Sequence, residues 1–217
     1  MRDTRFARFL SFAEGLAFAI FVALYIWKLQ FGRPNSWILL PVWLVVSFAA
    51  HGNTLETLGW RADNLWPATR QALFVLGGCM LAVVAAGLYF GALERTPAHL
   101  IDRHRFFGYF SFCLLQQIAL NSYLMDRFLS AVHRPWAAAF LSGTIFAALH
   151  WPNPVLVPLT FVGGFLMCWL FARQRNILPL TLGQAVLGGL VWWAFPMAWH
   201  HSMRVGPGYY AFGSHLW

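Results

Sequence analysis

Gln116, Gln117 and Asn121 interrupt an apolar run, and Gln117 and Asn121 stand four residues apart, on one face of a helix. An amide in lipid is costly unless paired, so these side chains must face other helices or water. Two readings follow: hydrogen-bonding glue between helices, worth about 0.6–2 kcal/mol per contact, or a polar pocket that holds something. Adjacent residues lie about 100° apart on a helix, so Gln116 and Gln117 are not expected to point in one direction. His150 ends a later apolar run, beside Trp151-Pro152-Asn153-Pro154. A helix-end histidine ordinarily bonds local carbonyls or meets water, but imidazole is also the usual general base and ligand. In the last apolar run Gln184 is placed to complete a polar cluster with Gln117 and His150, and Gly188-Gly189 lets a helix or a ligand approach the backbone.

Other reactive types are less telling. Glu14 lies inside the first apolar run, where an ionisable group is a functional candidate by default. Its place within a turn or two of the entry favours a side chain that reaches the interface. His200, His201 and His215 have no acidic or cysteine partner nearby, so a metal there is the minority reading. Cys79, Cys113 and Cys168 each sit in an apolar run with no C-x-x-C pair and read as small buried hydrophobes.

The elements that must position these groups are membrane helices. Apolar residues make up 59% of the 217 and charged residues 10%, well below the roughly one quarter of a soluble domain. Runs of about 18 or more apolar residues recur along the chain. The net charge of +8 is carried by arginines, with Lys28 the only lysine. They lie at the ends of apolar runs, where they anchor to head groups, and no soluble basic domain exists to bind nucleic acid. The expected fold is an all-α bundle of about seven spans, near residues 9–27, 37–50, 72–90, 106–124, 135–150, 155–171 and 177–199. Residues 54–70, with Trp60 and Trp66, are expected in the interface, and 94–105 in a polar loop. Gly77-Gly78 suits close helix contact in the third span, and Ala139, Gly143 and Ala147 form a small-residue stripe in the fifth. The first run is expected to remain as a helix, since it is long for a signal-peptide core. Counting Arg and Lys gives nine on the N-terminal side of the membrane against six opposite, a bias toward a cytoplasmic N-terminus, with a bacterial inner membrane as the expected location.

The order of features from 105 to 195 resembles the CPBP family, the CAAX-protease and bacteriocin-processing (Abi) intramembrane proteases. The match is carried by Phe146-x-x-x-His150, the Pro-Asn-Pro turn, a Gly-bearing helix with Gly163-Gly164, and Asn176-Ile-Leu-Pro179 before the last helix. The chain is then expected to have three units: N-terminal helices and interfacial segment (1–104), a four-helix core (105–199) that the resemblance implies is CPBP-like, and a membrane-surface tail (200–217). The resemblance also implies a first motif of two glutamates and a later arginine, which activate water or help to hold a metal. Here those positions are Gln116, Gln117 and Asn121. The second motif, Phe146 and His150, is intact. The last motif, a histidine and an asparagine four residues on, corresponds to Gln184 and Gly188.

These departures bear on mechanism. A carboxylate accepts a proton from water and an amide does not. One imidazole with neutral amides is far from the three protein ligands usual for catalytic zinc. The sequence therefore reads as a protease-like frame without protease chemistry. Gln116, Gln117, Asn121, Phe146, His150, Gln184 and Gly188 would then bind a hydrophobic ligand or a partner's transmembrane helix, in a subunit or assembly factor of a larger membrane complex. No cofactor is expected, a metal or pigment on His150 being the minor reading. The alternative is an atypical CPBP peptidase that relies on His150, with Glu14 or another carboxylate brought near it.

Overall fold

The computed structural model describes residues 4–92 and 103–212. Helix α1 (Thr4–Leu24) runs on through a π turn, Tyr25–Leu29, to Gly32. Pro34 opens a 3-10 turn that leads into α2 (Leu39–Ala50). Turns fill 51–64, and α3 spans Leu65–Tyr89. The interfacial segment is thus shorter than expected, because the helix begins seven residues before Ala72, with Trp66 and Pro67 in its first turn, where Pro is tolerated. Most of the expected polar loop lies outside the described residues.

The next helix is one rod in three parts: α4 (Arg103–Gln117), a π segment (Ile118–Met125) and α5 (Asp126–Val132). It ends at His133 in the left-handed region, and Pro135 starts α6 (Pro135–Ala148) at a position where a missing N–H is harmless. Helix α7 covers Leu156–Gln174 and stops on left-handed Arg175. Asn176 caps α8 (Ile177–Ala194) by accepting a hydrogen bond from the Leu178 N–H at 3.1 Å, and Pro179 sits harmlessly in the first turn.

All described elements are helices or turns. Among the described residues four helices are long and apolar enough to cross a membrane: 5–32, 65–89, 156–174 and 177–194, with two shorter apolar ones at 34–50 and 135–148. Their outer faces carry large exposed apolar residues such as Phe74 and Leu81, as lipid-facing surfaces do. This is a multi-pass integral membrane protein.

Helices α6 and α7 make the tightest crossing. A Cβ at Gly143 would stand 2.8 Å from the Phe165 backbone nitrogen, and one at Gly164 3.2 Å from the Gly143 Cα. The Ala139–Gly143–Ala147 stripe is buried there as expected. Gly77 and Gly78 do not serve as expected, since no atom lies within 4 Å of a Cβ at either, and α3 instead meets α8 where Gly87 faces Ala194. Helix α8 packs on α3 and α4, and α1 on α5. Their shared core is built on Phe18, Tyr123, Phe128, Phe146, Met167, Phe171 and Ile177.

The last helix ends earlier than expected, at Ala194, with Pro196 beyond it. The chain then folds back onto the turn after α6. The buried Asn153 amide donates to the carbonyls of His200 (2.8 Å) and Arg204 (3.0 Å), and Gly206 N–H donates to Trp151 O at 2.9 Å. The described part of the tail is therefore docked on protein, because its free backbone carbonyls meet a buried amide donor. His200 is fully buried, with both ring nitrogens engaged by backbone groups, and His201 stacks on Tyr209 and Phe212. His215 lies outside the described residues.

Candidate functional site

Gln117 and Asn121 are fully buried, on the inner face of the α4 rod where it enters the π segment. One chain of amide bonds links them across the bundle. Asn121 Nδ2 donates to Gln117 Oε1, Gln117 Nε2 donates to Gln184 Oε1 at 2.6 Å, and Gln184 Nε2 donates to Gln116 Oε1 at 2.5 Å. Gln117 Nε2 also points at Met167 Sδ, 3.0 Å away on α7. Both glutamines of the adjacent pair thus serve Gln184 although they leave the helix in different directions. A glutamine side chain has three torsions, enough to swing both termini onto a group lying between them. Asn121 Oδ1 is buried with no hydrogen-bond partner.

His150 follows α6 in the turn. Its Nδ1 stands 2.6 Å from its own helix's Phe146 carbonyl, and its ring meets the Phe146 ring edge-on at 4.7 Å. A carbonyl only accepts, so Nδ1 carries the proton and Nε2 keeps a lone pair in the neutral ring. Among the described residues no carboxylate pairs with His150, and no hydrogen bond joins it to Gln117 or Gln184. The amides form one group and His150 another, each tied to its own partners. Gly188 is used for helix contact, since a Cβ there would overlap the Tyr109 hydroxyl of α4.

The CPBP resemblance raises a metal, and the donor set does not fit one. Gln117 Oε1, Gln184 Oε1 and Gln116 Oε1 all accept amide hydrogens, and metal oxygens would have to displace those bonds. Among the described residues no three His, Cys, Asp or Glu side chains converge. Cys79, Cys113 and Cys168 are free thiols, the last two fully buried.

A second polar group escaped the sequence. Glu14 does not stand alone at the interface. Its Oε1 accepts from Ser47 Oγ and from Tyr123 OH (3.2 Å), while its Oε2 faces His51 Nε2 at 2.9 Å and Arg127 Nε at 3.4 Å. Arg127 also donates to Ser47 Oγ at 3.1 Å and lies over the Tyr123 ring, 5.3 Å from its centre. Trp43 Nε1–H donates to Tyr123 OH at 2.8 Å. Arg127 is 4% exposed. It was expected in a connection and counted toward the positive side of the membrane, but α5 carries it inward to a carboxylate, so it should leave that count. The available signal was two unlike charges, Glu14 and Arg127, each in or beside an apolar run and each needing a partner.

At the polar end of the bundle the turn 53–61 meets α5 and the end of α7. Arg175 donates to Thr57 O (2.6 Å) and Asp126 Oδ1 (2.8 Å), and Asn176 donates to Arg61 O and Asn64 Oδ1, both at 2.8 Å. Left-handed Gly59 makes the turn, and a Cβ there would sit 2.6 Å from Phe171. Arg61 bonds Asp63, and that bond holds the Asp63 carboxyl below its ordinary range.

Comparison with known proteins gives one result for this region. Residues 106–190 match the family model of the type II CAAX prenyl endopeptidase Rce1-like proteins. No curated protein and no solved structure matches the chain. The matched segment holds the amide chain, Phe146, His150, the Pro-Asn-Pro turn and Asn176. Over residues 106–190 the chain is therefore similar to the Rce1-like, CPBP family.

Proposed function

We propose that this Rce1-like membrane protein does not hydrolyse peptides and acts by binding. The observation that carries the reading is the amide chain Asn121–Gln117–Gln184–Gln116. It occupies the positions where the family's glutamates and histidine stand, and its internal bonds leave no proton acceptor of carboxylate strength. His150 keeps a basic nitrogen but has, among the described residues, no carboxylate partner to orient it or to share its proton. The protein would capture a partner's transmembrane helix or a hydrophobic ligand, as a subunit or assembly factor of a larger membrane complex. Because the amides satisfy one another, the captured group need not enter among them; they fix the frame that presents it.

This reading includes about seven passes, a four-helix core in 105–199, and an inner-membrane placement with the N-terminus cytoplasmic. Reassigning Arg127 to an internal pair narrows the arginine bias without reversing it.

The test is a cleavage assay on purified protein with prenylated and helical peptides, beside cross-linking capture from native membranes. We expect no cleavage, and we expect Gln117→Ala, Gln184→Ala or His150→Ala to weaken capture. Cleavage that His150→Ala abolishes would overturn the proposal. It would establish the second reading, an atypical peptidase, which the unpartnered Nε2 of His150 favours.

A further inference from the structure

We propose that the cleft between the 53–61 turn, α5 and the end of α7 binds a phosphate ester that carries a primary ammonium group, of the phosphoethanolamine type. The cleft is lined by Asn53, Glu56, Thr57, Arg61, Asp126 and Arg175 and encloses about 320 Å³. At about 10–15 Å³ of such space per water that is room for roughly 20 waters, ample for a small headgroup.

The charges decide the class of ligand. Two guanidinium groups and two carboxylates line the cleft, so its walls sum to no net charge. A site for a bare anion would carry an excess of arginine, and a site for a cation an excess of carboxylate. A balanced, spatially mixed wall fits a ligand that is itself zwitterionic. Arg175 has its Nε and Nη2 engaged with Thr57 O and Asp126, while Nη1 has no hydrogen-bond partner among the described residues. Arg61 is held by Asp63 through Nε and Nη2, and its Nη1 faces Glu56 at 3.4 Å, too long for a good hydrogen bond. These two nitrogens are donors for phosphate oxygens. Among the described residues Asn53 Oδ1 is buried with no partner, and Glu56 is 70% exposed with only the long Arg61 contact. A buried acceptor without a donor is unusual, and an ammonium N–H supplies one.

The position fits a lipid. Trp60 lies in the cleft-forming segment and Trp66 just beyond it, at 37% and 72% exposure, and Leu55 is 69% exposed. Amphipathic indoles and an outward leucine on a polar turn place the segment at headgroup depth. The same chemistry occurs in a membrane phospholipid and in a soluble phosphoethanolamine ester.

The test is native mass spectrometry of the full chain released from nanodiscs of equimolar phosphatidylethanolamine, phosphatidylcholine and phosphatidylglycerol, with glycerophosphoethanolamine added in a second series. Preferential retention of phosphatidylethanolamine is expected, because choline has no N–H for Asn53 and glycerol no charge for Glu56. Glu56→Gln, on an exposed side chain that leaves the fold alone, should reduce the preference over phosphatidylglycerol about three- to fivefold, the worth of one exposed ion pair. Arg175→Lys keeps the charge but loses the fork and should lower retention of phosphatidylethanolamine and phosphatidylcholine alike. Competition by millimolar glycerophosphoethanolamine would assign the site to the soluble ester, and retention that resists it to the lipid. Equal retention of the three lipids, preference for phosphatidylglycerol, or indifference to Glu56→Gln would overturn the proposal.

Discussion

Replacing Gln117 by leucine should destabilise the bundle by about 2–4 kcal/mol, and the size follows from what the amide touches. Leucine removes the bonds to Gln184 (2.6 Å) and Met167 (3.0 Å) and the one accepted from Asn121. Interhelical hydrogen bonds in membrane bundles average about 0.6 kcal/mol, with a maximum near 1.7. The larger share comes from Asn121. It is fully buried, its Oδ1 already lacks a partner, and losing Gln117 Oε1 leaves its Nδ2 without one as well. An orphaned buried donor costs about 1–3 kcal/mol. Gln184→Leu should cost less, about 1–2 kcal/mol, because Gln116 and Gln184 are only half-buried and Gln117 keeps the Met167 sulfur. The double variant should show a coupling of about 0.6–1.7 kcal/mol, the pair having been counted twice. Equilibrium unfolding in mixed micelles, followed by the fluorescence of the 12 tryptophans, gives all four corners of the cycle. Strict additivity, within about 0.5 kcal/mol, together with a near-neutral Gln117→Leu, would refute the hydrogen-bonded chain.

Arg127→Met strands Glu14 among Ser47, Tyr123 and His51, and breaking such a pair costs about 3–5 kcal/mol. The lower end is expected, since Glu14 keeps a quarter of its side chain exposed; Glu14→Gln combined with Arg127→Met should recover part of the loss in the same unfolding assay. Gly143→Val should lower thermal stability by about 1–3 kcal/mol because its side chain meets the Phe165 backbone, whereas Gly163→Ala, with open space around it, should leave melting unchanged or raised. Asn176→Ala removes the cap of α8 and the ties to Arg61 O and Asn64, and a loss of about 1–2 kcal/mol is expected. Proteolysis should then nick the 53–64 turn faster, and an unchanged nicking rate would argue against that tie.

The membrane class, the helical fold and the likeness to the Rce1-like family were legible in residue types and spacing. Apolar runs of spanning length cannot be soluble strands or loops, and Phe146, His150, the Pro-Asn-Pro turn and Asn176 keep a recognisable order. Helix ends were less so. Trp66 and Pro67 begin α3 where polarity suggested an interfacial segment, and Pro196 stops α8 before its apolar run is over.

What the sequence determined by itself is that amides, and not carboxylates, interrupt the apolar runs at Gln116, Gln117, Asn121 and Gln184, because amide and acid are distinct chemistries at any geometry. What only the tertiary structure decided is who partners whom. Side-chain reach lets Gln116 and Gln117 share Gln184, helix packing gives Gly188 to Tyr109, and the α1–α5 contact joins Glu14 to Arg127, more than a hundred residues away. Hydrogen bonds and ion pairs act over a few ångströms. Their partners are therefore set by how helices cross, which no local spacing encodes.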